Sequence, residues 1–186
     1  MYIDFMDYAS GAALATDLVN TAPLVRTSIG EVLADPAALR RFLDEHGVEV
    51  SAAPLESDVA RTHSLRDDVR AVLEAADEDE TVARAAALMM RGARGPVLHR
   101  DSEGHWQWHV VTARNTDLAD ELAVRIGLGL LGALHTLGHK RFRHCAAPDC
   151  AGLFVDTSRA GRRRYCMPDL CGNRINVANY RARQQN

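Results

Sequence analysis

All four cysteines of this 186-residue chain lie in its last quarter, as two evenly spaced pairs. Cys145 and Cys150 are separated by four residues, as are Cys166 and Cys171, and fifteen residues separate the pairs. Zinc prefers four soft ligands in a tetrahedron, and two short loops that each present two thiolates supply them. Four thiolates leave no position for water, so the spacing predicts one structural Zn²⁺ per chain rather than a catalytic one. Disulfides are the alternative, disfavoured in a reducing compartment.

The residues around the cysteines predict a small finger. Residues 153–155 and 162–165 have the composition of two short strands joined by a turn, and residues 172–185 have the apolar spacing of a helix. Knuckle, hairpin, knuckle and helix is the order of elements in a treble-clef finger. Because so small a core cannot fold without its metal, we expect loss of a ligand to unfold the chain from Cys145 onward and to leave the preceding residues folded.

The first 138 residues predict helices. Apolar residues recur at helical spacing over residues 10–20, 36–46, 65–76, 81–90 and 118–137. Asp35-Pro36 is typical of a helix start, and residues 115–117 cap the last helix. The acidic run at residues 77–80 is interpreted as a solvated junction between helices rather than a metal site. Glycines at 127, 129 and 132 are expected to let another helix approach the last one closely.

One β-hairpin interrupts the helical pattern. Residues 97–99 and 106–110 flank a turn at residues 101–104. Trp106 and Trp108 share one face of the second strand and are expected in the core, with ligand stacking as the alternative. The predicted fold is therefore mainly α: a multihelical domain with a small β-hairpin at residues 1–138, followed by a treble-clef-like four-cysteine zinc finger at residues 139–186.

Charge divides the chain at the same place. From His139 onward there are ten basic residues, nine of them arginines, against three aspartates, a formal charge of +7. The remainder carries 12 basic and 22 acidic residues, a charge of −10. This asymmetry indicates a polyanionic partner for the finger. The expected contacts are Arg162, Arg163, Arg164, Asn173, Arg174 and Arg181.

Several classes of protein are disfavoured by the sequence. The longest apolar stretch, residues 126–137, is shorter than the ~20 residues of a membrane span. The first residues are acidic where a signal peptide is basic, so we expect a cytoplasmic protein with no membrane partner. No phosphate-binding loop, nucleophile elbow or paired-carboxylate signature is found, and no histidine lies at triad or metal-ligand spacing. We therefore expect that the protein is not an enzyme.

The cysteine segment resembles the CGNR zinc-finger family. The resemblance is carried by Cys171-Gly172-Asn173-Arg174, by His144-Cys145 and by the strings at residues 154–159 and 163–166, with Tyr165 where we expect tryptophan. Upstream, residues 17–21 with the helix start at residues 35–36 are similar to the N-terminal domain called ABATE. The resemblance covers nearly the whole chain. It implies a zinc site at the four cysteines, a signature pair at Asn173 and Arg174, and a stress-related bacterial transcription regulator whose finger binds DNA.

Three functions are consistent with these observations. The leading one is a regulator of transcription with a basic zinc finger that binds DNA, or alternatively RNA, and a helical domain that senses or dimerises. The second is a zinc-stapled protein-interaction module whose arginines meet an acidic partner, including the chain's own residues 77–80. In the third, the helical domain senses a small effector at a pocket near Asp17, Asn20, Trp106 and Trp108. Arg174 has an alternative role as a hydrogen-bond donor to the zinc thiolates.

Overall fold

The computed structural model describes residues 2–4, 7–50 and 52–172. Five α-helices and five short strands follow one another in this part of the chain. The helices are α1 (Tyr8–Val19), α2 (Pro36–Glu45), α3 (Glu56–Leu73), α4 (Glu78–Met90) and α5 (Leu118–Leu137). The strands are β1 (Tyr2–Asp4), β2 (Ala93–Arg100), β3 (Trp106–Thr112), β4 (Phe142–His144) and β5 (Leu153–Val155). The predicted fold class, mainly α with a small hairpin and a four-cysteine finger, is confirmed.

Aspartates cap four of the described helices, and for two of them, α2 and α5, the sequence indicates the cap. The carboxylates of Asp35, Asp77 and Asp117 accept the backbone N–H three residues further on, at 2.7, 2.8 and 3.0 Å. Such caps satisfy donors that the first helical turn leaves without a partner. Asp77 is the first residue of the acidic run. Glu80, the last residue of the run, pairs with Arg84 at 2.7 Å. The run is therefore a capped helix junction, as predicted.

Helix α5 lies at the centre of the core, between α1 and α4. It crosses α1 so closely that a Cβ added to Gly129 would lie 2.5 Å from the Cα of Gly11. On the α4 side, a Cβ on Gly127 would lie 2.7 Å from the Ala85 carbonyl oxygen and the Met89 nitrogen. The predicted close approach of a helix to the glycine face is confirmed, with two neighbouring helices rather than one.

Gly129→Ala tests this crossing, because the substitution should lower the free energy of unfolding if the two helices touch and raise it if they do not. Glycine to alanine inside an exposed helix usually stabilises by about 1 kcal/mol. Here the added methyl group has no space, so we expect the free energy of unfolding in urea to fall by about 1–3 kcal/mol. Thr136→Ala, at an exposed position of the same helix, is the control and should change it by less than about 0.5 kcal/mol. A stabilised Gly129→Ala variant would show that the helices are not in contact there.

The hairpin belongs to a three-stranded antiparallel sheet in the order β1-β3-β2. Strand β1, which the sequence analysis did not predict, pairs with β3 from Val111 to His109. The expectation that the tryptophans lie in the core is wrong, because Trp106 and Trp108 are 59% and 51% exposed. They share a face with buried Val110, but exposure rises along the hairpin toward its turn, beyond the residues that β1 covers.

The finger's hairpin also differs from the prediction. Strand β5 pairs antiparallel with β4, Phe142 opposite Val155 and His144 opposite Leu153. Residues 162–165 are not a strand, because side chains occupy the backbone groups that a ladder would use. The Arg163 N–H donates to the Asp156 carboxylate at 3.1 Å, and the Arg163 carbonyl accepts from Arg143 at 3.2 Å. The predicted helix at residues 172–185 lies almost wholly outside the described residues.

Strand β5 joins the finger to the helical core. Leu153 and Val155 are buried in the same apolar cluster as α1, α3 and α5, whereas Phe154 points to the cysteines. The residues on either side of position 138 therefore share one core. Within the part of the chain that the structure describes, no helix has both the length and the apolar character needed to cross a membrane.

Candidate metal centre and basic surface

Two loops bring the four thiols together. Cys145 follows β4 and Cys150 precedes β5, while Cys166 precedes the turn at Pro168–Gly172 and Cys171 lies within it. All four Sγ atoms lie within 4.8 Å of one another. The separations of Cys150 from Cys166, Cys150 from Cys171 and Cys166 from Cys171 are 3.7, 3.8 and 3.8 Å. A zinc tetrahedron with bonds of ~2.3 Å has edges of about 3.8 Å, so the donor set and its dimensions fit one structural zinc ion.

The surroundings of the four sulfurs explain why a cation stabilises this arrangement. Burial raises the pKa of Cys166, and the negative charge of neighbouring thiolates raises it further by repulsion. Burial also raises the pKa of Cys171. Although burial opposes it, the pKa of Cys145 is lowered, because the backbone N–H groups of Cys166 and Ala147 donate toward its sulfur. Four thiolates at these distances need a divalent ion to ionise together, so zinc binding releases protons and weakens as the pH falls.

Asp156 organises the loop between the two cysteine pairs. Its carboxylate is fully buried and accepts from the Ser158 hydroxyl and from Arg143 at 3.0 Å. Burial alone would raise the pKa of Asp156, but the Ser158 and Arg163 hydrogen bonds and the Arg143 charge hold it below its ordinary value. Arg141 donates to the Asp156 carbonyl at 3.0 Å. Sequence analysis missed this role, although Asp156 lies inside the string that resembles the zinc-finger family.

Arg163 braces the second cysteine pair instead of facing solvent. Its guanidinium donates to the carbonyls of Tyr165 and Cys166 and lies 4.9 Å from the centre of the Phe154 ring. These contacts hold the loop that carries Cys166. Of the six residues expected to contact nucleic acid, Arg163 therefore has a positioning role in the structure.

Arg162 and Arg164 flank this brace and are exposed. Lys140 and Arg159 are exposed as well, and within the described residues none of these four side chains takes part in an ion pair with a carboxylate. In the acidic run, Asp77 caps α4 and Glu80 pairs with Arg84, and no ion pair among the described residues joins the run to these four side chains. The remaining expected contacts, Asn173, Arg174 and Arg181, lie outside the described residues.

Asn20 fastens the finger to α1. Its side chain is buried and pairs with both backbone groups of Leu153: the amide donates to the carbonyl at 2.7 Å, and the amide oxygen accepts from the N–H at 3.2 Å. Thr16, one turn earlier, accepts from the Val155 N–H at 3.1 Å. Gly152 lies between this contact and the metal centre. A Cβ at this position would collide with the Cys166 sulfur and with the Asn20 amide oxygen.

The predicted effector pocket is only partly assembled. Asp17 and Asn20 line a cavity of about 240 Å³ together with Phe42 and His46, but neither tryptophan lines it. Trp106 and Trp108 lie on the exposed hairpin, where Arg100 stacks 4.3 Å from the centre of the Trp106 ring. The grouping of all four residues at one pocket is therefore wrong, because Trp106 and Trp108 lie on the exposed part of β3 that pairs with β2 alone.

A half-buried histidine pairs with Asp17 at this cavity. The two ring nitrogens of His46 lie 2.8 Å from the Phe42 carbonyl and 3.0 Å from the Asp17 carboxylate. Both partners are acceptors, and only the protonated ring can donate to both. The hydrogen bond to Asp17 therefore raises the pKa of His46, although burial opposes the shift.

The Asp17–His46 pair predicts a pH-dependent stability. A raised folded-state pKa contributes stability below the unfolded value of ~6.5, and this is lost as the pH rises through the folded value. Asp17→Asn should therefore destabilise by about 0.5–1 kcal/mol at pH 5.5 and by much less at pH 9, in urea unfolding. The control is Asp44→Asn, whose partner Arg40 stays charged throughout. An equal Asp17→Asn effect at both pH values would contradict the role of His46.

In the described part of the chain, five helices surround a core, and one strand of a four-thiol finger enters that core. These features define the class: a helical zinc-finger protein. Comparison with known families gives a more specific identification. The sequence model described as "ABATE: Putative stress-induced transcription regulator" matches residues 12–138, and that of the CGNR zinc finger matches residues 141–184. The chain belongs to the ABATE family and carries a CGNR zinc finger, as the resemblance predicts. No curated protein matches it.

Proposed function

We propose that the protein is a transcription regulator that binds DNA through the exposed arginines of its zinc finger. The observation that carries the proposal is the pair Arg162 and Arg164, which are exposed on either side of a residue whose backbone is fixed to buried Asp156. The regulator and zinc-finger families that the chain matches also support it, and neither is a family of enzymes.

The charge distribution supports a polyanion as the partner. The basic finger follows a strongly acidic helical segment, and Arg162 and Arg164 form no ion pair within the described residues. Arginine presents a planar fork of donors that matches phosphate oxygens and guanine edges. We propose that Lys140 and Arg159, which are also exposed, add to the same positive field. We propose that Asn173, Arg174 and Arg181 extend the contact.

Different arginines have different roles in this proposal. Arg141, Arg143 and Arg163 donate to backbone or buried carboxylate oxygens of the finger and so hold the loop in shape. Arg162 and Arg164 are free to meet the ligand. The helical domain serves sensing or dimerisation, and the protein acts in the cytoplasm, where DNA is accessible.

Salt dependence of binding tests the proposal. Each neutralised phosphate releases about one counterion, so affinity for duplex DNA should fall steeply between 50 and 200 mM salt. Replacing Arg162 and Arg164 together with glutamine should lower the slope of log affinity against log salt by about 2. The measurement is fluorescence anisotropy of the zinc-loaded full-length chain with a mixed duplex pool, repeated with an RNA pool.

The matched control is the pair Arg40→Gln and Arg84→Gln, which removes two exposed arginines from α2 and α4. It should leave the salt slope unchanged. If the wild-type protein shows no salt-dependent binding to either pool at low ionic strength, the regulator proposal fails and the protein-interaction module becomes the leading function. Equal slopes in wild type and the Arg162/Arg164 variant would place the contact elsewhere.

A further inference from the structure

The cavity beside Asp17 lies at the junction of the helical core and the finger. Its walls come from α1, from α2, from the loop after α1 and from Met167, which directly follows the zinc ligand Cys166. Its volume of about 240 Å³ is below the ~300–1,000 Å³ of sites for drug-sized ligands, so it suits a small molecule. A second cavity of about 70 Å³ adjoins the thiols, and Arg26 and Met167 line both.

Arg26 is a cation at this junction that forms no ion pair within the described residues, and Asp149 is the carboxylate that lines the smaller cavity with it. One Nη atom lies 2.8 Å from the Met167 sulfur, a weak acceptor, and the Nε atom is buried with no hydrogen-bond partner. A buried donor without an acceptor is costly, and a guanidinium in contact with a thioether lacks the oxygen acceptors that its donors match. Arg66 differs from Arg26 in its Nη atoms, which donate to Glu31 at 2.7 and 2.8 Å, while its Nε is likewise buried without a partner.

The other lining residues restrict the ligand that would satisfy Arg26. Val32 and Phe42 provide apolar surface, which favours an organic molecule over an inorganic ion. Asp17 is paired with His46, and Glu45 stands at the exposed side, so a second negative charge on the ligand would be repelled. A single carboxylate matches the guanidinium fork in both shape and charge.

We propose that this cavity binds a small organic monocarboxylate, anchored by Arg26, and that binding tightens the contact between the helical core and the finger. The carboxylate takes the Arg26 donors and the carbon skeleton lies against Phe42 and Val32. Because Met167 and Arg26 also wall the space beside Cys150 and Cys171, an occupied cavity restrains the loop that holds the zinc.

Benzoate is the probe, with benzamide as its neutral isostere and inorganic phosphate as the second anion, all at constant ionic strength. For so few atoms a dissociation constant on the order of 1 mM is expected. Each compound is titrated into the ¹⁵N-labelled, zinc-loaded full-length protein, and the NMR resonance of the Arg26 Nε–H group is followed. This resonance is assigned by its absence from the spectrum of Arg26→Lys. Benzoate should shift this resonance saturably, and benzamide and phosphate should bind at least tenfold more weakly. Zinc loss to a chelator should slow in saturating benzoate.

Arg26→Gln should weaken benzoate binding at least tenfold, while Arg84→Gln, which removes an exposed arginine of α4, should leave it unchanged. Arg26→Lys keeps the positive charge but not the planar guanidinium donors. It replaces Arg26→Gln as the test variant if the glutamine variant does not fold. Equal binding of benzoate and benzamide, tighter binding of phosphate, or no saturable shift up to 20 mM (about twenty times the expected constant) would overturn the proposal. Benzoate binding that leaves zinc loss unchanged would overturn its coupling to the finger. No arm of this experiment uses nucleic acid, so its outcome is independent of the proposed regulator function.

Discussion

Cys145→Ser should lower the melting temperature of the whole chain, not of the finger alone, by at least about 10 °C. A structural zinc contributes about 10–16 kcal/mol in small fingers, and each kcal/mol lost moves the midpoint by about 2–4 °C at this chain length. Strand β5 transmits the loss to the core, because its first and last residues, Leu153 and Val155, are buried among the helices. The measurement is the helical circular dichroism signal on heating, with zinc content determined on the same sample.

The control for this variant is Ala146→Ser, which places a serine next to the ligand at an exposed position. It should retain one zinc per chain and the wild-type midpoint. From the sequence alone, loss of a ligand is expected to leave the helical domain folded. A Cys145→Ser protein that loses zinc yet melts like wild type would support that expectation and contradict the shared core.

Asn20→Ala is expected to cost about 2–4 kcal/mol of stability, a large loss for one polar side chain. The alanine leaves the buried N–H and carbonyl of Leu153 without partners, and each such group costs about 1–3 kcal/mol. Urea unfolding of the zinc-loaded protein measures the loss. Because the finger is held to α1 at this point, zinc should also leave the variant faster in the presence of a chelator.

Thr16→Ser is the matched control for Asn20→Ala. It keeps the hydroxyl that accepts from the Val155 N–H, one turn away on the same helix, and should stay within about 1 kcal/mol of wild type. A loss below about 0.5 kcal/mol for Asn20→Ala would mean that water replaces the amide and that Asn20 does not fasten the finger.

The helices were predictable because their signals are local. Asp35, Asp77 and Asp117 each satisfy a donor three residues away, and apolar residues at helical spacing need no distant partner to be recognised. The zinc ligands were predictable for a related reason, since thiolates at this spacing have few other uses in a reducing environment. Both signals depend on sequence separations of a few residues.

Strand pairing and exposure were not predictable in the same way. Strand β5 pairs with β4, not with residues 162–165, because the backbone of the latter is occupied by the side chains of Asp156 and Arg143. The tryptophans have the alternation of a buried face, but burial depends on what covers that face, and β1 covers only its inner half. The alternation of residues along a strand can be read from the strand's own sequence. The segment that covers one face of the strand comes from elsewhere in the chain, so the burial of that face cannot.

The sequence by itself determined the zinc site, the helical class of the first 138 residues and the basic character of the finger. Tertiary structure decided which arginines are free. Arg162 and Arg164 are exposed, whereas Arg143 and Arg163 turn inward to satisfy carbonyls and the buried Asp156. It also decided that Asn20 pairs with a strand 133 residues away. A hydrogen bond or ion pair of this kind depends on where the chain brings its partner, and that position is set by the packing of the whole core.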